Sequence, residues 1–264
     1  MKIGYIGPIG SYSYDAANKY KSAEDELKEY KNIEEVISEL QKGNTDICVV
    51  PVENAIHGAV VDTMDTILDV ADIYIVDEVV VDVHHMLMSK SKDSTIAKIY
   101  SHTQALEQCR RYLSEHYPDV EKIPVASTSF AAELAQKESD TACICNESCK
   151  KLYGLEVVSD NIQDNKNNQT RFIVLSKNKN NRENKKTSIV FSTKDEPGAL
   201  YKILGMFSMA EINLTKIESR PAKTKLGEYM FFVDLEGDEK DPNIQFTLDN
   251  ISKYCNIFRI LGSY

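Results

Sequence analysis

The chain has 264 residues, 42% hydrophobic and 27% charged, a composition that folds and excludes disorder as the main state. At about 150 residues per domain, two domains fit this length better than one. The formal charge of −10, from 31 basic and 41 acidic residues, leaves no basic face for nucleic acid.

Apolar runs at Lys2 to Ile6, Thr45 to Pro51, Ile73 to Met88, Lys98 to Ser101, Lys122 to Ala126, Ala142 to Ile144, Leu155 to Ile162 and Thr170 to Leu175 read as strands. Between them Ile33, Val36, Ile37 and Leu40 fall at i, i+3, i+4, i+7 behind an Asn32 cap with Glu35 three residues on. Val60, Met64, Ile67 and Leu68 give a second helical face, Leu106, Cys109 and Leu113 a third, and Phe130 with Leu134 a fourth. The alternation predicts a mostly parallel sheet covered on both sides. The long passage at Ile73 to Met88 lets the chain cross to a second lobe and Leu155 to Ile162 lets it return, so an α/β unit of two lobes with a ligand cleft between them is expected.

From Ser176 to Lys186 there is almost no apolar residue, which predicts a linker over 178–185 between units at 1–177 and 186–264. The acidity belongs to the first unit: residues 1–176 net −12 and residues 185–264 net zero. In the second unit strand Thr187 to Thr193, helix Ala199 to Ala210, strands Asn213 to Arg220 and Tyr229 to Leu235, helix Pro242 to Cys255 and strand Asn256 to Ile260 spell β-α-β-β-α-β, a ferredoxin-like α+β order. Its open sheet predicts side-by-side association, as a homodimer or homotetramer.

The longest apolar run, about Ile47 to Val52, falls far short of the ~18 residues that cross a bilayer. The N-terminus enters a strand with no signal core, and the six cysteines form no C-x-x-C pair. A cytoplasmic protein with neither membrane contact nor metal is expected.

Four strand ends run into small polar residues: Gly7 to Ser13, Pro51 to Gly58, Ser101 to Gln104, and Ser127 to Ser129. Helix N-termini at such places bind carboxylates without net positive charge, although any one of them alone reads as a cap. A polar loop, Asn168-Gln169, then opens the strand Thr170-Arg171-Phe172.

In this order, Gly7-Pro8-Ile9-Gly10-Ser11-Tyr12-Ser13, Pro51-Val52-Glu53-Asn54, Ser101-His102-Thr103-Gln104-Ala105, Ser127-Thr128, Tyr153-Gly154-Leu155 and Thr170-Arg171-Phe172 resemble the prephenate dehydratase signature. Pro197-Gly198-Ala199-Leu200 and the run Ile212 to Pro221, with Glu218-Ser219-Arg220-Pro221, make the second unit similar to the ACT regulatory domain. Ala55 and Thr103 stand where the family commonly has Ser and Pro. The resemblance implies a periplasmic-binding-protein-like catalytic domain of two lobes followed by an ACT domain. It implies decarboxylative dehydration of prephenate to phenylpyruvate in L-phenylalanine biosynthesis, with no cofactor. Thr170 takes the role of donor or relay to the departing hydroxyl. Arg171 and the helix N-termini near Ser11 and Ser127 would hold the side-chain carboxylate, and Asn54, Ser101 and Gln104 would orient the ring. Tyr12, Thr128 and Phe172 complete the substrate site, and Glu53 is an acid if burial raises its pKa. L-Phenylalanine, as feedback inhibitor, would sit between two ACT domains on Gly198, Ala199, Leu200, Asn213, Leu214, Glu218, Ser219 and Arg220. An arogenate dehydratase and a non-catalytic amino-acid sensor are the alternatives.

Overall fold

The structure, a computed structural model, describes residues 1–93, 95–180, 182–223 and 227–264. The chain divides into two compact units, Met1–Thr63 with Val79–Phe172, and Met64–Glu78 with Ile173–Tyr264. In chain order the elements are β1 (Lys2–Ile6), α1 (Tyr12–Tyr20), β2 (Glu26–Tyr30), α2 (Ile33–Gln41), β3 (Ile47–Asn54), β4 (Gly58–Ala59), α3 (Val61–Asp69) and β5 (Tyr74–Asp82). There follow β6 (Met86–Ser89), β7 (Lys98–Ser101), α4 (Thr103–Gln108), α5 (Arg110–His116), β8 (Glu121–Pro124), α6 (Thr128–Lys137), β9 (Thr141–Cys145), α7 (Glu147–Tyr153), β10 (Glu156–Ser159) and β11 (Gln169–Ser176).

These strands form two sheets, β2-β1-β3-β11-β5 with β4 hairpinned on β3, and β10-β6-β9-β7-β8. The second sheet is made wholly from the stretch between β5 and β11, so one lobe is an insertion in the other. Helix α2 forms where the spacing requires it: Asn32 Oδ1 accepts from Glu35 N at 2.8 Å and Val36, Ile37 and Leu40 are fully buried. The second lobe packs Met88, Ala131, Ala132, Ala135, Cys143 and Cys149 on one face of its sheet and Leu87, Ile99, Leu113 and Ile144 on the other.

Three expectations change. Strand β2, Glu-Leu-Lys-Glu-Tyr, is an edge strand with only Tyr30 buried, so it carries no apolar signal. The run Ile73 to Met88 holds two strands in different sheets, β5 and β6, while β10 stays in the second sheet and the return falls after it. The sheets are mixed: β1 runs parallel to β2 and β3, and β7 to β8 and β9, but β6 is antiparallel to both β9 and β10. Strand β6 opens the second sheet straight from β5 with no helix between them, so the strand-helix alternation that predicts parallel neighbours does not extend to it.

The second unit contains β12 (Lys186–Thr193), α8 (Ala199–Met209), β13 (Leu214–Pro221), β14 (Tyr229–Glu236), α9 (Pro242–Ser252) and β15 (Cys255–Ser263), with sheet order β13-β14-β12-β15. Ile189, Phe191, Ile203, Phe207, Val233, Leu248 and Ile251 form its core. Segment 64–78 is held to this unit by polar bonds. Arg259 Nη1 donates to Val70 O at 2.7 Å, Lys186 Nζ pairs with Glu78 at 2.6 Å, and Arg182 Nη2 with Asp77 at 2.7 Å. Within the polar stretch 178–185, Asn180 Nδ2 donates to Val76 O and Asn184 N to Asp238 Oδ2, both at 3.1 Å, and Asn181 lies outside the described residues. Among the described residues no helix is long and apolar enough to cross a membrane.

Candidate active site

A cavity of about 470 Å³ opens in the first unit, walled by both lobes. The β1–α1 loop forms one side. Gly10 has φ +84°, and a Cβ there would come within 2.9 Å of Leu152 Cδ1 and 3.2 Å of Ser129 Oγ, so only glycine lets the loop lie against α6 and α7. Ser129 Oγ donates to Ile9 O at 2.6 Å, and Asp15 accepts from Asn146 Nδ2 at 2.5 Å and from Ser148 Oγ. Burial pushes the Asp15 carboxyl above the usual range against those two bonds.

Helices α1 and α6 both begin at the wall. Ser11 Oγ accepts from Tyr14 N at 3.2 Å and donates to Ile6 O at 3.1 Å, while Ser127 Oγ accepts from Phe130 N at 3.0 Å. Both hydroxyls are therefore caps. What these helices offer a ligand is backbone, because the N–H groups of Tyr12, Ser13, Thr128 and Ser129 have no intrahelical acceptor. Ser13, Gln104 and Thr128 line the cavity with side chains that make no hydrogen bond to any described residue.

On β11 the two-residue period puts Thr170 and Phe172 on the cavity wall and turns Arg171 to the opposite face. Asn54, at the end of β3, fixes the threonine. Its Oδ1 accepts from Ile56 N and His57 N at 3.0 Å, which aims Nδ2 at Thr170 Oγ1 at 3.0 Å, Asn168 Oδ1 at 2.9 Å and Gln169 O at 3.2 Å. Thr170 Oγ1 accepts there, so its own proton is directed elsewhere, and no described residue takes it.

Among the described residues the wall contains no Lys, Arg, Asp or Glu, and its ionisable side chains are Tyr12, His85 and His102. Tyr12 Oη donates to His84 O at 2.7 Å and lies 3.3 Å from His85 Nδ1. His85 Nε2 lies 2.7 Å from Gln108 Oε1, and Gln108 Nε2 lies 2.9 Å from His57 Nε2. Burial holds the His85 ring below its ordinary 6.5 and lifts the Tyr12 phenol well above its usual range.

Three expected roles are corrected. Ser101 is fully buried and its Oγ donates to Ile144 O at 2.7 Å, tying β7 to β9 and meeting no ligand. Arg171 Nη2 pairs with Glu53 Oε2 at 3.1 Å on the far face of the sheet, so it does not reach a carboxylate in the cavity. Glu53 is 39% exposed, which removes the burial its role as an acid requires. Ser11, Tyr12, Asn54, Gln104, Ser127, Thr128, Thr170 and Phe172 are together on one wall. Sequence reasoning missed Ser13, His85 and Gln108. Gln108 follows Gln104 by four residues, on the same helical face, and that spacing was a usable signal.

In the second unit Gly198, at φ +80°, opens α8 with no side-chain cap, while Leu200 and Leu214 pack against the core. Asn213 follows the other end of α8, whose 11 residues at about 1.5 Å each make it roughly 16 Å long. Glu218 and Arg220 share the half-buried face of β13 and Ser219 lies on its exposed face. Arg220 Nε reaches Asp65 Oδ1 at 3.3 Å and Lys223 Nζ reaches Asp65 Oδ2 at 2.8 Å. Burial opposes ionisation of Asp65, but these two cations outweigh it and hold the carboxyl below its ordinary value.

Two α/β lobes around an anion-ready cavity, followed by a β-α-β-β-α-β domain, define a periplasmic-binding-protein-like domain joined to a ferredoxin-like one. The family model of prephenate dehydratase matches residues 3–180, and that of the ACT domain matches residues 187–245. The prephenate dehydratase of Lactococcus lactis is 39% identical over 100% of this chain and 97% of its own length. The bifunctional chorismate mutase/prephenate dehydratase of Aquifex aeolicus is 38% identical over 100% of this chain and 73% of its own length. The crystal structure of prephenate dehydratase in complex with L-Phe from Arthrobacter aurescens superposes with a TM-score of 0.91 at 30% identity, covering 100% of this chain and 90% of that one. The chain belongs to the prephenate dehydratase family, whose members are lyases, and carries an ACT domain.

Proposed function

We propose that this chain converts prephenate to phenylpyruvate, carbon dioxide and water in L-phenylalanine biosynthesis, and that L-phenylalanine bound at the ACT domain inhibits it. One observation carries the reading: a threonine hydroxyl, polarised by Asn54, presents a free proton to a cavity without fixed charge. Loss of the ring carboxylate as carbon dioxide leaves its electron pair to aromatise the ring as hydroxide departs from C4. The Thr170 O–H donates to the departing oxygen, and the bond it accepts from Asn54 strengthens that donation. The N–H groups opening α1 and α6 receive the side-chain carboxylate, and the Gln104 amide orients the ring. Val60, Val83 and Phe172 leave the ring carboxylate poorly solvated, which favours its loss.

Catalysis is assigned to residues 1–177 and regulation to residues 186–264, across a linker at 178–185. In the ACT domain the backbone at Gly198 receives the amino acid's carboxylate, and Asn213 and Glu218 its ammonium group. Because Gly198 and Asn213 lie at opposite ends of α8, one ligand touching both takes them from two copies, which favours a homodimer or homotetramer. Six free thiols suit the reducing cytoplasm.

The test is formation of phenylpyruvate from prephenate with and without L-phenylalanine. No product refutes the enzyme and leaves a binding protein, and turnover untouched by millimolar L-phenylalanine refutes the regulation. The wall has no carboxylate to pair with the ammonium of arogenate, so kcat/KM is expected to favour prephenate.

A further inference from the structure

Resting on the prephenate reading, we propose that His85 takes up a proton as the dianionic substrate enters the cavity, and that this bound proton is the one the departing hydroxyl consumes. The reaction requires it: dianionic prephenate and one proton give phenylpyruvate monoanion, carbon dioxide and water. The wall supplies no acid in its resting state, since it lacks Lys, Arg, Asp and Glu and an alcohol such as Thr170 cannot give up its proton without replacement.

Of the two wall histidines, His102 is spoken for. Its Nδ1 accepts from Gln104 N at 3.3 Å as the cap of α4, a role that requires this nitrogen unprotonated. His85 is framed as a cation. Nε2 faces the Gln108 carbonyl oxygen at 2.7 Å, and Nδ1 faces Tyr12 Oη at 3.3 Å, whose own hydrogen is committed to His84 O. Both ring nitrogens thus have an acceptor in place, which is the arrangement of an imidazolium. The ring is only 2% exposed and has no counter-charge. Its ionisable surroundings are His84 beside it, Tyr12 from α1, and His57 beyond Gln108. The nearby carboxylates are otherwise engaged: Asp15 takes hydrogen bonds from Asn146 and Ser148, and Asp164 takes one from Arg111 N. No described carboxylate touches the ring. Burial therefore keeps it neutral while the cavity is empty, and two arriving carboxylates make the protonated form favourable. When the C4–O bond breaks, the Nδ1 proton moves to Tyr12 Oη as that phenol, which lines the wall, releases its own hydrogen to the departing oxygen, and His85 returns to neutral.

The experiment is calorimetric titration of the full chain with ring-saturated prephenate, which cannot aromatise, in buffers of different ionisation enthalpy at pH 7.5. The dependence of heat on buffer is expected to report close to one proton taken up by the wild type and close to none by His85→Gln, which can still donate to Gln108. In His85→Gln, kcat/KM for prephenate is expected to fall about 10²-fold or more and to lose its decline toward high pH. Nitrogen NMR of the histidine rings in the wild type, recorded with and without the analogue, reads the same event without any variant. Binding without proton uptake, or equal uptake by a folded His85→Gln, overturns the role of His85 while prephenate turnover leaves the substrate reading intact. Absence of both turnover and analogue binding overturns the substrate reading and this one with it.

Discussion

Replacing Thr170 by Val keeps the β-branched shape that suits β11 and removes only the hydroxyl. Asn54 is not stranded by the change. Its Nδ2 retains Asn168 Oδ1 at 2.9 Å and Gln169 O at 3.2 Å, and its Oδ1 retains two backbone donors. The ground-state cost is therefore one neutral hydrogen bond at most, about 1 kcal/mol, or roughly 2–4 °C in melting temperature for a domain of this size. In the transition state the loss is larger, because the departing oxygen is becoming hydroxide and a preorganised donor to such an atom is worth about 3–4 kcal/mol. Stopped-time assays of phenylpyruvate should show kcat down roughly 10²–10³-fold with KM within about threefold. Thr170→Ser, which restores the hydroxyl, should recover most of the rate. A Val variant within threefold of wild-type kcat, or a Ser variant as slow as Val, would refute the hydroxyl's part in the chemistry.

Removing the α6 cap with Ser127→Ala should destabilise the first unit by about 1 kcal/mol and Ser127→Gly by only a few tenths, read from urea midpoints. A double-mutant cycle on Glu53 and Arg171 should give a coupling of less than about 1 kcal/mol, since Glu53 is well solvated; a much larger value would contradict that account. The Asp65–Arg220 pair is 17% and 21% exposed and should couple more strongly, by about 1–3 kcal/mol, with the contribution lost as pH falls below the ordinary 3.8 of Asp65. His85 acts with the opposite partner state. Below 6.5 the unfolded chain binds a proton that the folded ring refuses, so stability falls with acidification in that window, and His85→Gln should flatten the slope of urea midpoint against pH.

Much of this was readable from residue order. The i, i+3, i+4, i+7 spacing behind the Asn32 cap gives the start and buried face of α2, and the punctuation of the C-terminal part gives β-α-β-β-α-β, because caps and turns are local signals. The site was legible as a set of segments, since the Thr-Arg-Phe and Asn54 motifs converge as the resemblance implies. Side-chain direction was not. Ser101 and Thr170 both sit in strands beside the cavity, yet one hydroxyl turns to a backbone carbonyl in the sheet and the other to the wall. Which parity faces the ligand depends on the partner strand, and no single strand states it. The same holds for Glu53 and Arg171, which a one-residue offset from Asn54 and Thr170 sends to the other face. His85 and Gln108 escaped because each takes its meaning from the other across 23 positions of chain. The split of Ile73 to Met88 between two sheets has no local mark, because both halves are equally apolar.

Strand β11 lies between β3 and β5 in the first sheet, although it leaves the ribosome some hundred residues after them. During synthesis the inserted lobe, a continuous stretch, can complete itself while its host still lacks an interior strand. The hydroxyl at position 170 rides on that late strand. A truncated product ending before it therefore lacks both an interior strand of the sheet and the hydroxyl proposed to act on substrate, and a nascent chain acquires both in a single event.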